Sequence, residues 1–74
     1  VNTSEKKYLN TLGERIRMLR LEKGVDQKQF AFECEISRTQ LYSIEKGVTN
    51  PRLITLLKIS KGLEITLSEL LTTN

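Results

Sequence analysis

Histidine and tryptophan are absent from these 74 residues, and cysteine, proline and methionine occur once each. Without His, the chain lacks the side chain most used for proton transfer near neutral pH and for transition-metal binding. The single Cys34 can neither close an intrachain disulfide nor supply a zinc-binding pair, and it fits a reducing compartment. The Ser and acidic residues fall at helix caps and on solvated faces. The chain is therefore read as a binding protein and not an enzyme, with no metal and no cofactor. No apolar run approaches the twenty or so residues that span a bilayer, and the first ten residues lack the apolar centre of a signal peptide. A cytoplasmic location is the expectation.

Proline and glycine are also scarce, with one and four copies, and each is read as marking a break between helices. No segment keeps a period-2 alternation of apolar and polar residues, so the fold class expected is all-α. At this length there is room for one core, and residues 1–74 are read as a single domain. The first residue is not Met, so a longer parent chain fits equally well. Lys and Arg total 12 against 9 Asp and Glu, a formal charge of +3. That balance permits a polyanionic partner without singling one out. Locally, Lys28, Arg38, Lys46 and Arg52 are offset by Asp26, Glu33, Glu35 and Glu45.

Five helices follow from apolar spacing and capping residues. The first is expected to begin between Glu5 and Thr11, after an N-terminal arm over residues 1–8, and to run to about Lys23. Leu12, Ile16 and Leu19 make its inward stripe, and Gly24 suits a left-handed cap. Asp26-x-x-Gln29 reads as a capping box opening a second helix, with Phe30, Ala31 and Cys34 inward. Ser37-x-x-Gln40 opens a third, which buries Leu41 and Ile44 and stops at Gly47. Pro51 marks the start of a fourth or the residue just before it. That helix carries Leu53, Leu56, Leu57 and Ile59 and ends near Gly62. Thr66-x-x-Glu69 caps a short fifth helix holding Leu67, Leu70 and Leu71. Together they make a compact bundle.

The second and third helices, joined by a short turn, make a tight angled pair. At about 100° per residue, Arg38, Thr39, Tyr42, Ser43 and Lys46 fan across the side of the third helix opposite Leu41 and Ile44. Such a face has what base reading in a major groove needs: Arg pairs with guanine through two bonds, and the Thr methyl touches that of thymine. A solvated face would carry the same residues by charge alone. Gln27 and Lys28, at the positive end of the second helix, are placed to grip phosphate. Asn50 and Arg52 do the same from the other side.

The segment LGERIRMLRLEKGVDQKQFAFECEISRTQLYSIEKGVTNPRLITLLKISKGLEITLSELL, residues 12–71, resembles the phage-repressor/Cro (Xre) helix-turn-helix family. The shared register includes the LGERIR opening, Gln27, Ser37-Arg38, Ile44-Glu45-x-Gly47, Asn50-Pro51 and the closing LSELL. The resemblance implies a lambda-repressor-like DNA-binding domain and a sequence-specific transcriptional regulator. Arg38, Thr39 and Ser43 match base-reading positions. Gln27, Lys28, Gln40, Tyr42, Lys46, Asn50 and Arg52 are assigned to the DNA backbone, Gln27 also touching the start of the recognition helix. Arg20 and Glu45 match a structural salt bridge.

The sequence departs from that family in three ways. Glu35 stands where the turn usually has a left-handed Gly, and Cys34 replaces a buried Leu. Met18, Leu21 and Phe32 are apolar where polar residues are usual.

One module of this size buries limited surface, so two modules on a pseudo-palindromic operator are expected. The family most often pairs through its C-terminal helices, here Leu67, Leu70 and Leu71, although those leucines equally suit the core of one protomer. Met18, Leu21 and Phe32 supply the alternative, an antitoxin or other protein-interaction module whose partner is a toxin or a missing domain. A restriction–modification controller is a third reading, close to the first.

Overall fold

The computed structural model describes residues 2–72. Five helices follow in chain order: α1 (Thr3–Lys23), α2 (Gln27–Cys34), α3 (Arg38–Lys46), α4 (Leu53–Gly62) and α5 (Leu67–Leu71). There is no strand among the described residues. The core gathers Leu12 and Ile16 of α1, Phe30, Ala31 and Cys34 of α2, Leu41 and Ile44 of α3, Leu56 and Ile59 of α4, and Leu70 of α5. No described helix is long and apolar enough to cross a membrane.

The first helix starts earlier than its apolar spacing indicates. Residues 3–8, expected in an N-terminal arm, form its opening turns; Val1 lies outside the described residues. Asn2 accepts from the Glu5 amide at 2.9 Å and Glu5 accepts from the Asn2 amide at 3.1 Å. This reciprocal cap satisfies two of the exposed N–H groups at the helix start. Gly13 lies in mid-helix, so it marks no break there.

Ser37/Gln40 and Thr66/Glu69 each form the full reciprocal box. Asp26 forms half of one: it accepts from the Gln29 amide at 2.8 Å, while the Gln29 side chain turns to Glu33 at 3.0 Å. Pro51 stands one residue further from its helix than expected, because Arg52 is the N-cap of α4. Leu53, in the first turn of α4, is 60% exposed, and the helix buries Leu56, Ile59 and Ser60 instead. That first turn overhangs the edge of the core. Near the end of α4 the left-handed residue is Glu64 (φ 60°) and not Gly62. Gly62 has a different cause: a Cβ there would lie 2.5 Å from Cys34 Sγ.

Glu35 occupies the left-handed region, φ 59° and ψ 40°, at the turn between α2 and α3. Amides on either side of the bend hold it, Glu35 N–H donating to the Phe32 carbonyl at 3.1 Å and Ile36 N–H to that of Ala31 at 3.0 Å. A non-Gly residue in this conformation costs about 1–2 kcal/mol. Part of that would be offset by the greater freedom of Gly in the unfolded chain. Glu35→Gly is therefore expected to raise stability by about 1 kcal/mol, seen as a higher urea midpoint with an unchanged slope. A lowered midpoint would show that the Glu35 side chain stabilises the turn.

Candidate nucleic-acid interface

α3 is held in place by a buried ionic network. Arg20 Nε donates to Glu45 Oε2 at 2.7 Å and Arg20 Nη2 donates to Glu45 Oε1 at 3.1 Å, with the two side chains 7% and 3% exposed. Arg20 Nη1 reaches the Val25 carbonyl at 2.9 Å. Gln27 Nε2 donates to Glu45 Oε1 at 3.0 Å. One carboxylate thus joins the body of α1, the start of α2 and the last turn of α3. No buried side-chain polar atom among the described residues lacks a partner.

That network fixes how α3 is presented. Its inward side is Leu41, Ile44 and Glu45. Arg38, Thr39, Gln40, Tyr42 and Lys46 are exposed and Ser43 is half-buried. Arg38 and Lys46 have no ion-pair partner among the described residues. The Lys46 ammonium lies 5.8 Å from the centroid of the Tyr42 ring, within cation–π range. Gln40 is partly committed: its Oε1 accepts from the Ser37 amide at 3.0 Å, which leaves its NH₂ free to donate.

The flanks are equally open. Lys28 is exposed in the first turn of α2, where the helix dipole favours an anion. Gln27 is half-buried and has one amide N–H left after binding Glu45. Asn50 and Arg52 are exposed beyond the far end of α3. Thr39, Gln40, Ser43, Asn50 and Arg52 share one cleft of about 610 Å³ between α3 and α4. Gln27 and Lys28 do not line it.

The remaining candidates fall elsewhere. Leu70 is fully buried inside the protomer, so it is no surface for a second copy; Leu67 and Leu71 are half-buried and pack on the same core. Phe32 is 79% exposed, and Met18 and Leu21 are exposed on α1. Cys34 is buried, and desolvation pushes its thiol up to about 11, which leaves little thiolate at neutral pH.

Three side chains make structural contacts that carry no signal in apolar spacing or capping pattern. Arg15 Nε and Nη2 donate to the carbonyls of Leu70 at 3.1 Å and Glu69 at 2.9 Å. The Tyr8 hydroxyl donates to the Leu71 carbonyl at 3.2 Å. α1 thereby satisfies the orphan carbonyls at the end of α5. Lys23 plays a similar part for α4, donating to the Gly62 carbonyl at 2.7 Å while pairing with Glu33 at 3.2 Å. Glu33 is held below the usual carboxylate range by hydrogen bonds from Gln29 first and Lys23 second.

An all-α domain whose angled helix pair presents an open polar face is a helix-turn-helix DNA-binding transcription regulator. The chain belongs to the helix-turn-helix family HTH_3, which matches residues 16–70. It is 48% identical over 59 residues to the control protein C.MunI of Mycoplasma sp, covering 78% of this chain and 80% of that protein. The control protein C.BamHI of Bacillus amyloliquefaciens is 40% identical over 60 residues, covering 80% of this chain and 74% of that protein. Among solved structures, the restriction–modification controller protein C.AhdI from Aeromonas hydrophila superposes with a TM-score of 0.81 at 35% identity. That match covers 84% of this chain and 94% of that one.

Proposed function

We propose that this regulator is a restriction–modification controller that binds a pseudo-palindromic operator as a homodimer. The observation that carries the DNA reading is the exterior of α3. Arg38 and Lys46 project from it without ion-pair partners among the described residues, while Arg20, inside the protomer, is held by Glu45 and the Val25 carbonyl. The match to control proteins over most of their length supports the narrower controller role.

In this reading α3 enters the major groove. Arg38 pairs with guanine, and Thr39 and Ser43 contact neighbouring base edges. Gln27, Lys28, Gln40, Tyr42, Lys46, Asn50 and Arg52 hold phosphates and set the register without reading sequence. A second protomer supplies the other half-site. The chain acts by binding and carries out no catalysis. The alternative, an antitoxin, draws on exposed Met18, Leu21 and Phe32. Such a protein would use one surface for its toxin and another for operator DNA.

The test is selection from a random duplex library with the purified chain alone. An inverted repeat with half-sites about one helical turn apart is expected. On the selected duplex, Arg38→Ala should cost about 1–3 kcal/mol and relax preference at one base position, whereas Lys28→Ala should weaken all sequences alike. No enrichment would overturn operator binding by the chain alone and favour the partner-dependent module. Equal losses on selected and random DNA from both variants would remove base reading from Arg38.

A further inference from the structure

The cleft between α3 and α4 contains more than the helix-turn-helix supplies. Thr39 and Ser43 form its α3 wall, Asn50 and Arg52 its rim, and Thr55 and Lys58 its α4 wall. Its volume is about 610 Å³, and no lining residue is a carboxylate. Ile44, Pro51 and Ile54 supply its apolar part, and the polar part, hydroxyls, amides and two cations with no acid among them, is suited to a phosphate diester.

Lys58 is the member that family pattern and helix spacing leave aside. It is half-buried and has no ion-pair partner among the described residues. Its ammonium makes one long hydrogen bond, 3.4 Å, to the Glu35 carbonyl at the turn between α2 and α3. That bond uses one of three donors and leaves two. Lys58 stands between this cleft and a smaller one of about 310 Å³ that has Glu33 and Glu35 on its wall, yet it pairs with neither. Thr39 and Ser43 line the cleft from the flank of the α3 exterior. A duplex seated against that exterior brings its backbone to the mouth of the cleft.

We propose that Lys58 of α4, outside the helix-turn-helix, is a DNA-phosphate contact that closes this cleft on the duplex backbone beside Arg52. The assignment rests on the reading that α3 occupies the major groove. The contact is sequence-independent and adds one released counterion to binding.

The experiment measures affinity for the library-selected duplex at several salt concentrations, for wild type, Lys58→Gln and Lys61→Gln. Lys61 is an exposed lysine of the same helix that does not line the cleft. Lys58→Gln is expected to reduce the slope of log K against log salt by about 0.9, making affinity about threefold less salt-sensitive over a fourfold salt range. Lys61→Gln should leave the slope unchanged. An unaltered slope in Lys58→Gln, with only its melting temperature lowered, would assign Lys58 to the Glu35 turn and overturn the proposal. Equal slope changes in both variants would reduce it to a general charge effect. An unaltered slope together with wild-type amide shifts around the cleft in millimolar inorganic phosphate would reassign the cleft to the free anion. A wild-type chain that binds no duplex would overturn the α3 reading itself, which the Lys58→Gln comparison alone does not.

Discussion

Glu45→Ala will destabilise the domain by about 3–5 kcal/mol, because it leaves the buried Arg20 guanidinium without its counter-charge. Domains of this size have about 4–11 kcal/mol in total, so the variant will sit near the edge of folding. Thermal melting should show a loss on the order of 20 °C. The expected size follows from burial: both side chains are under a tenth exposed, and the carboxylate accepts three hydrogen bonds, two from Arg20 and one from Gln27. The large single-variant cost measures a stranded charge and not the net value of the pair. Arg20→Met combined with Glu45→Leu should therefore recover most of the lost stability, since apolar residues of similar volume replace such pairs at little cost. A loss below about 1 kcal/mol for Glu45→Ala would place Arg20 in contact with water. It would also remove the network as the element that fixes the pose of α3.

The second large effect is expected at Gly13. A Cβ there would lie 2.7 Å from the Glu45 carbonyl oxygen, and closer still to that of Ile44. Both obstacles are backbone, so no side-chain rotation relieves them. α1 crosses α3 at this point with no room for a methyl group. Ala in place of Gly would normally favour a helix interior by about 1 kcal/mol. Gly13→Ala should nevertheless lose about 2–3 kcal/mol, the cost of separating two packed helices. Gly24→Ala is the informative comparison. Gly24 has φ +81° and nothing within 4 Å of the added methyl, so only the left-handed strain of about 1–2 kcal/mol remains. Chemical denaturation of both variants separates the two causes. A Gly13→Ala variant as stable as wild type would mean that α1 shifts freely against α3.

Much of the helix layout was legible because capping residues and apolar spacing act locally. Ser37/Gln40 and Thr66/Glu69 form the boxes that their spacing announces, and Gly24 and Gly47 take the left-handed caps. The core stripes of α2 and α3 lie where the 3.6-residue period puts them. The failures share a cause as well. Residues 3–8 carry no inward apolar stripe to announce a helix, yet Asn2 and Glu5 cap one, and the bond from Tyr8 to the Leu71 carbonyl ties it to α5. Leu53 belongs to the apolar set of α4 but falls beyond the edge of the core. Gly13 looks like a helix breaker until the backbone of α3 is placed beside it. Each depends on a neighbour distant in the chain, which periodicity within one segment does not encode.

The candidate site divides along the same line. The exposed face of α3 is a property of one helix and was readable from its period. Lys58 is a property of two, joined to the α3 flank only through the packing of α4. Leu70 shows the converse. A leucine-rich final helix reads as either interface or core, and complete burial decides for core at Leu70 alone, since Leu67 and Leu71 are half-buried.

The bonds from Tyr8 and Arg15 to the end of α5 span 63 and 55 residues of sequence. Leu70, at the centre of that contact, fills the core from the last helix. During synthesis the first helix therefore emerges from the ribosome long before the carbonyls it will cap exist. Until residue 70 has left the exit tunnel, a nascent chain lacks one wall of its core, so closure of the domain waits on the emergence of its fifth helix.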